Sequence, residues 1–480
     1  MKANLFIQGA LCTLPLFVQA QEKPNIIFIL ADDMRGSALN FLGKESIHTP
    51  NINQLATDGV TFTNAHIMGG TSGAVSMPSR AMLMTGKHLQ NLNKQGSNIP
   101  ESHTTMGEAL QKGGYETYHI GKWHSDYKSF NRCFTGGDDI FFGGMADHWN
   151  VPLHHYRADG SYGKNRPTIL KPGSNNFVTY QTGDHLYSGK HSVDIFTDAA
   201  IDYVSKQKDA ENPFFMYVAY MSPHDPCSMP QQYLDQYSDA SIQLPDNYME
   251  KHPFDNGELV IRDEVLAAIP RVPTEVKEHI KSYYAMITHL DDNIGRLIAQ
   301  LKADGTYDNT IIVFAADNGL AVGQHGLLGK QNVYEHSVGV PLIIKQPNAK
   351  DARQNDALCY LIDVFPTLCD MANVATPQSV EGISLTPALH ENKAVREYLY
   401  YTYVNYQRAI SDGEWKLIEY HVKGVRTTQL FNLKNDPMEK QNLAQEKKYK
   451  SKIKNLRKEM LVQRDAVADN NTAFWKNFEF

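Results

Sequence analysis

Apolar positions along the chain follow two periods, and the alternation between them outlines an architecture. Asn25-Ile26-Ile27-Phe28-Ile29-Leu30, Thr117-Tyr118-His119-Ile120, Phe214-Phe215-Met216-Tyr217-Val218-Ala219-Tyr220 and Ile311-Ile312-Val313-Phe314-Ala315 are short apolar runs, the pattern of strands buried on both faces of a parallel sheet. Leu290, Ile294, Leu297, Ile298 and Leu301 recur at helical spacing, which predicts a long amphipathic helix from about Glu278 to Leu301 packed on that sheet. The apolar stretch from Leu361 to Leu368 places Cys369 in a buried helix. After about residue 390 the pattern turns to tyrosine-rich alternation, at Glu397 to Tyr403 and Trp415 to Tyr420, with a turn at Asn435-Asp436-Pro437. That reads as an antiparallel meander, followed by a charged helix from about Gln445 to Arg464 with Ile453, Leu456, Met460 and Leu461 on one face. The expected organisation is a large α/β unit, residues 21–390, and a smaller unit, residues 391–480. Segments 134–190 and 226–272 lack periodicity and are expected to be functional loops.

Each strand-like run ends in reactive side chains: Asp32-Asp33, Gly121-Lys122-Trp123-His124, Ser222-Pro223-His224-Asp225-Pro226 and Asp317-Asn318-Gly319. Ligands of open α/β sheets bind beyond the carboxyl ends of the strands, so these groups are predicted to converge in one crevice.

Composition changes this picture little. A chain of 480 residues with 42% hydrophobic, 21% charged and 10% aromatic residues is globular, which excludes disorder, collagen and coiled coil. A net charge of -7 without any dense run of Lys or Arg argues against a nucleic-acid partner. The first twenty residues stand apart. Lys2, an apolar stretch from Leu5 to Val18 and the ending Val18-Gln19-Ala20 read as a secretory signal cleaved after Ala20, removing Cys12 and leaving an exported chain, periplasmic or extracellular. The apolar stretch is shorter than the roughly 20 residues that span a bilayer, and no later stretch is long enough. Cys133, Cys227, Cys359 and Cys369 have no zinc-ligand spacing, and a Cys133–Cys227 bridge stays open.

Asp32, Asp33, Asp317 and Asn318 offer only oxygen ligands, the chemistry of Ca²⁺ or Mg²⁺ rather than zinc. Either pair alone also suits a helix cap or a turn, and the shared position after apolar strands favours the metal. Arg80, Lys122, His124, His224 and Lys330 are cations, or can become so, and suit an anion with several oxygens. A metal beside several cations implies a sulfate or phosphate ester.

Ser76-Met77-Pro78-Ser79-Arg80-Ala81-Met82-Leu83-Met84-Thr85-Gly86 resembles the signature of the type I sulfatases, Cys or Ser, any residue, Pro-Ser-Arg, four residues, Thr-Gly, at every fixed position. The resemblance extends through Thr49-Pro50-Asn51-Ile52, Gly121-Lys122-Trp123-His124, Pro223-His224, Asp317-Asn318-Gly319, Gly329-Lys330 and Leu430-Phe431-Asn432-Leu433 with Asp436-Pro437. It implies an alkaline-phosphatase-like fold, a large, mixed and mostly parallel sheet flanked by helices, with a smaller C-terminal antiparallel sheet and helix. It implies that Ser76 is oxidised to formylglycine, whose hydrated diol is the nucleophile. Asp32, Asp33, Asp317 and Asn318, completed by the modified Ser76, look like the ligands of Ca²⁺, with Mg²⁺ the lesser alternative. Arg80 resembles the residue orienting the diol, and Lys122 and Lys330 those that neutralise sulfate oxygens. His224 is similar to the acid that protonates the leaving alcohol, and His124 to the histidine that contacts the formylglycine and assists sulfate release. Ser rather than Cys at 76 points to maturation by the radical enzyme of anaerobic bacteria, and Ser125-Asp126 departs from the commoner Leu-Gly after the Gly-Lys-Trp-His stretch.

These motifs hold the sulfate, so specificity must come from the loops. His148, Trp149, His154, Arg157 and His185 mix stacking and hydrogen-bonding groups suited to a sugar. His325 lies near Lys330 in sequence, as a pocket residue or a packing one. The expected protein is an exported, calcium-dependent sulfatase acting on sulfated carbohydrate. The alternatives are a phosphomonoester or phosphonate monoester hydrolase of the same superfold, and a silent sulfated-glycan binding protein with unmodified Ser76.

Overall fold

A computed structural model describes residues 23–163, 165–171, 177–349, 352–391, 393–476 and 478. The putting in place of the signal segment, 1–20, lies outside these residues. Eight strands form the main sheet: β1 (Asn25–Ala31), β2 (Val60–Phe62), β3 (Glu116–Lys122), β4 (Gly136–Phe141), β5 (Phe214–Ala219), β6 (Thr310–Ala316), β7 (Leu342–Lys345) and β8 (Arg353–Asn355). They lie in the order β8-β2-β7-β6-β1-β5-β3-β4. β6, β1, β5, β3 and β4 run parallel, β7 is antiparallel to both neighbours, and β8 is parallel to β2. The sheet is therefore mixed and mostly parallel, with all four predicted strands at its centre.

Successive residues of β1 feed opposite cores. Ile26, Phe28 and Leu30 join the cluster that includes Met82 and Leu83 of helix α1 (Ser76–Thr85), while Ile27, Ile29 and Ala31 join the cluster under helices α2 (Ser192–Gln207) and α3 (Pro273–Ala303). Burial on both faces is why these strands read as unbroken apolar runs. The predicted helix at 278–301 is the inner part of α3, which starts at Pro273 because proline suits a first helical turn. Cys369 is buried in the helix Val364–Met371, as expected.

A second sheet contains β9 (Leu399–Tyr403), β10 (Gln407–Ser411), β11 (Trp415–Val422) and β12 (Val425–Asn432), an antiparallel meander. Helix α4 (Lys450–Ala466) follows and buries Ile453, Leu456 and Met460. Gly69–Gly70 pairs with β9 as a fifth strand. Gly69 has a φ of +99°, and a Cβ there would lie 2.1 Å from the Thr402 carbonyl oxygen, so this join requires glycine.

Two readings are corrected. Segment 134–190 is not all loop, since it supplies β4 and a hairpin, Asn165–Lys171 with Phe177–Thr182. β4 escaped because an edge strand beginning Gly136-Gly137-Asp138-Asp139 has no apolar run to betray it. Cys133 and Cys227 form no bridge; Cys133 is buried, its sulfur 4.0 Å from that of Met84, and Cys227 is exposed. No described helix is long and apolar enough to cross a membrane.

Candidate active site

Strand register assembles the site. β1 and β6 pair in parallel from Asn25 with Thr310 to Ala31 with Ala316, so Asp32 and Asp317 leave the sheet side by side. β5 lies on the other side of β1 and delivers His224, and β3 delivers Lys122. Between Ile120 and Gly121 the β3–β4 register shifts; Gly121 has a φ of +90°, and a Cβ would lie 2.1 Å from the Ala219 carbonyl oxygen. Such a bulge re-aims the next side chain, here Lys122. Ser76 opens α1, whose amino-terminal partial positive charge faces the same space.

The result is a buried lattice of charge. Ser76 Oγ lies 3.2 Å from Asp32 Oδ1, 3.1 Å from Asn318 Oδ1 and 3.2 Å from Lys330 Nζ. Lys330 Nζ donates to Asp33 Oδ1 at 2.6 Å, and Lys122 Nζ to Asp32 Oδ2 at 2.5 Å. Arg80 donates through Nε to Asp317 Oδ2 at 2.7 Å, and its Nη2 lies 3.4 Å from Asp32 Oδ2. His224 Nε2 is 3.7 Å from Asp33 Oδ2. Asp32, Asp33, Asp317, Arg80, Lys122 and Lys330 are all buried, three carboxylates against three cations.

Burial and neighbours divide the protonation states. Burial raises the Asp32 pKa, but Lys122, Arg80, His224 and Lys330 outweigh it and hold the carboxyl well below its usual range. Asp33 and Asp317 are pushed up to about 6, chiefly by burial and then by neighbouring carboxylates. Burial and Lys330 bring His224 down to about 4. Burial, Lys122 and Arg80 hold His124 well below the usual imidazole range, and its Nδ1 has no partner.

The donors fit a hard divalent cation. Asp32 Oδ1 and Asn318 Oδ1 face Ser76 Oγ, Asp317 Oδ1 accepts from the Asp33 amide, and Asp32, Asp33 and His224 offer ligand atoms within 4.8 Å of each other. Asn318 Nδ2 donates to Asp33 Oδ1 and to the Gly319 carbonyl, which fixes its Oδ1 toward Ser76. Ser76 thus has one hydroxyl hydrogen facing two acceptor oxygens, an imbalance that a cation or a second hydroxyl removes.

The structure brings together Asp32, Asp33, Ser76, Arg80, Lys122, His224, Asp317, Asn318 and Lys330. His124, half-buried beside Lys122, completes the group. It does not bring in the proposed sugar contacts. His148 is fully buried: its Nε2 donates to the His224 carbonyl at 3.0 Å and its Nδ1 accepts from Ser192 Oγ at 2.7 Å. His154 is buried against Phe142 and Tyr162. Trp149 packs edge-on to His191, Arg157 is paired with Asp184, and His185 with Asp139. His325 is a packing residue, stacked on Tyr334 with its Nε2 at the Glu439 carbonyl.

His148 belongs instead to a clamp. It stacks on His191, ring planes 3° apart, and His191 accepts from the Val193 amide as the cap of α2 while donating to the Ser228 carbonyl at 3.0 Å. The two imidazoles pin segment His224–Ser228 at both ends. From the other side Arg262 holds Asp225 and Asp263, and Asp225 Oδ1 lies 3.2 Å from His224 Nδ1. Gln331 ties Asp263 to the Gly73 carbonyl. Asp225 was among the reactive side chains at the strand end, whereas Arg262, Asp263 and Gln331 escaped the sequence reading, the first two inside the aperiodic segment 226–272. His148→Leu strands the His224 carbonyl and the Ser192 hydroxyl, an expected loss of about 1–3 kcal/mol, checked by urea unfolding; unchanged stability would show the clamp to be dispensable.

Residues 24–374 match the family model for sulfatases, and residues 323–466 that for the C-terminal region of N-sulphoglucosamine sulphohydrolase. The chain is 27% identical over 524 residues to an N-acetylglucosamine-6-O-sulfatase of Bacteroides thetaiotaomicron, covering 94% of this chain and 88% of that protein. It is 30% identical over 373 residues to an ulvan-active sulfatase of Formosa agariphila, covering 76% and 64%. Among solved structures, one in complex with its substrate D-glucosamine-2-N,6-O-disulfate superposes with a TM-score of 0.73 at 23% identity, covering 94% of this chain and 99% of that one. A phosphonate monoester hydrolase of Agrobacterium radiobacter superposes with a TM-score of 0.72 at 21% identity, covering 93% and 96%.

Proposed function

The chain belongs to the sulfatase family and is a sulfuric ester hydrolase, and from that premise we propose that it removes sulfate from sugars of sulfated glycans at the site around Ser76. The observation that carries this reading is the meeting of Ser76, at a helix amino terminus, with three carboxylates and three fixed cations in one buried space. Without a metal those charges cancel. A bound divalent cation leaves the site about +2, a field that calls for a dianionic or monoanionic ester.

In this reading Asp32, Asp33, Asp317 and Asn318 would hold Ca²⁺, which would polarise a sulfate oxygen and favour an ionised nucleophile. A formylglycine made from Ser76 by a radical maturation enzyme would, when hydrated, supply one oxygen to attack sulfur as the bond to the sugar oxygen breaks, and a second hydroxyl for later release of sulfate. Arg80, anchored on Asp317, orients residue 76. Lys122 and Lys330 neutralise sulfate oxygens as charge develops. His224 gives a proton to the leaving sugar oxygen, and His124 takes one during sulfate release. Export to the periplasm or beyond belongs to the same reading and rests on residues 1–20. The sulfated-sugar reading draws support from what the named relatives act on.

The test is release of inorganic sulfate from a panel of sulfated sugars by protein made in an anaerobic host. Matured protein releasing sulfate from none of them would refute the glycan reading. The phosphonate monoester hydrolase likeness supports a second reading, and faster turnover of an aryl phosphate than of the matching aryl sulfate would favour it.

Metal binding has its own signature. Through Asp33 and Asp317, raised to about 6, the fold holds protons that the unfolded chain has lost, so this pair makes stability fall as pH rises from about 4 to about 6. A cation reverses that cost only when the pair is ionised. The Tm gain from added Ca²⁺ is therefore expected to be larger near pH 7.5 than near pH 5, with about 2.7 kcal/mol available at a hundred times Kd. Equal gains at the two pH values would remove these carboxylates from the ligand set.

A further inference from the structure

Next to the 225–227 segment the surface dips into a small hollow of about 30 Å³, lined by Cys227, Leu266, Leu320, Val322 and Leu328 and by the polar groups of Asp225, Asp263, His279 and Tyr283. That is the space of one water or one methyl group. A water needs two to four polar partners, and the polar groups nearby are already engaged. Tyr283 donates to the Asp33 carbonyl and accepts from the Arg35 amide, Asp225 and Asp263 share Arg262, and the His279 ring is hydrogen-bonded to the Leu266 backbone. An apolar occupant suits such walls better.

The hollow is also held in shape before any ligand arrives. The His148–His191 clamp fixes the 224–228 segment from below, and Arg262 bridges it to the 263–266 segment. Preformed walls spare a ligand the cost of ordering them. Position supplies the occupant. If His224 protonates the leaving oxygen, the body of the leaving alcohol lies against residues 224–227, and a substituent on it reaches Cys227 and Leu266.

Resting on the sulfatase reading, we propose that this hollow receives a methyl-sized apolar substituent of the leaving sugar, the methyl of an acetamido group or of a 6-deoxy sugar, and selects for sugars that carry one. A methyl fitted into such a pocket gives roughly tenfold discrimination or more. Two matched pairs separate the sources: N-acetylglucosamine 6-sulfate against glucose 6-sulfate, and fucose against galactose sulfated at the same carbon. One pair should show a kcat/KM ratio of roughly ten or more. Cys227→Leu fills the hollow from an exposed position outside the charge lattice, and should bring that ratio close to one.

A second measurement needs no turnover. Cys227 is exposed whereas Cys133, Cys359 and Cys369 are buried, so N-ethylmaleimide reports on this wall. In protein with unmodified Ser76, the preferred sugar sulfate should slow labelling and its unsubstituted partner should not. Equal kcat/KM within both pairs, or a preference that survives Cys227→Leu, overturns the proposal and leaves the sulfatase reading intact. If matured protein turns over no sugar sulfate, the parent reading fails, and labelling that no sugar sulfate slows overturns the hollow as well.

Discussion

Ser76→Ala is expected to lower sulfate release by roughly 10⁵-fold or more, the scale seen when a nucleophile that works as part of a unit is removed. The fold should survive, because Ser76 makes no contact that an alanine at a helix start would strain, and Lys330 keeps its bond to Asp33. The sharper expectation concerns the wild-type residue. A serine hydroxyl with one hydrogen facing Asp32 Oδ1 and Asn318 Oδ1 is poorly matched to its surroundings, and Arg80 and Lys330 are placed for a more acidic group. The tryptic peptide Glu45 to Arg80 from active protein should therefore weigh about two mass units less than its sequence requires, the two hydrogens lost when serine becomes formylglycine. Activity should scale with the converted fraction across preparations. Full activity in a preparation whose peptide has the unmodified mass would remove formylglycine from the mechanism. An unmodified peptide with tight sulfated-glycan binding and no sulfate release would favour the silent binder.

How much of this was legible in the sequence follows from what each residue needs. β1, β5 and β6 are buried on both faces, so their apolar runs announced both the strands and where they end. Once the strands are parallel and adjacent, residues after them must meet, which is why Asp32, Lys122, His224 and Asp317 could be grouped before any coordinates. Ser76, and the roles of Arg80 and Lys330 beyond being cations, came from the motif resemblance, not from periodicity. The loops were another matter. His148 and His154 look in sequence like sugar contacts and His325 like either a pocket or a packing residue, yet all three are buried. Two of them, His148 and His325, reach backbone carbonyls, of His224 and Glu439, and a carbonyl partner leaves no mark on the sequence. The Arg262 bridge was hidden for a related reason: Asp225 and Asp263 are far apart in the chain, and nothing local says that one guanidinium spans them.

The two histidines nearest the chemistry should separate by leaving group. His224 Nδ1 donates to the Asp225 carbonyl at 2.7 Å, so its Nε2 faces the site. With a pKa of about 4 the imidazole is neutral in the free protein at pH 7. Burial first and then Lys330 hold it down, so it acts as an acid once an anion beside Lys330 offsets that charge, and the Asp225 carboxylate 3.2 Å from Nδ1 stabilises the resulting imidazolium. A sugar alkoxide is a poor leaving group and needs that proton, whereas 4-nitrophenolate leaves without it. His224→Ala is thus expected to lower kcat/KM for a sugar sulfate by roughly 10²- to 10⁴-fold, and far less for 4-nitrophenyl sulfate. His124→Ala should slow both substrates alike wherever sulfate release limits the rate, since by then the alcohol has gone. The measurement is kcat/KM and kcat for each variant across leaving groups of graded acidity. A His224→Ala loss that stays constant along that series would mean that the proton on the leaving oxygen comes from another group, and His124, with its unpartnered Nδ1, would be the next residue to test.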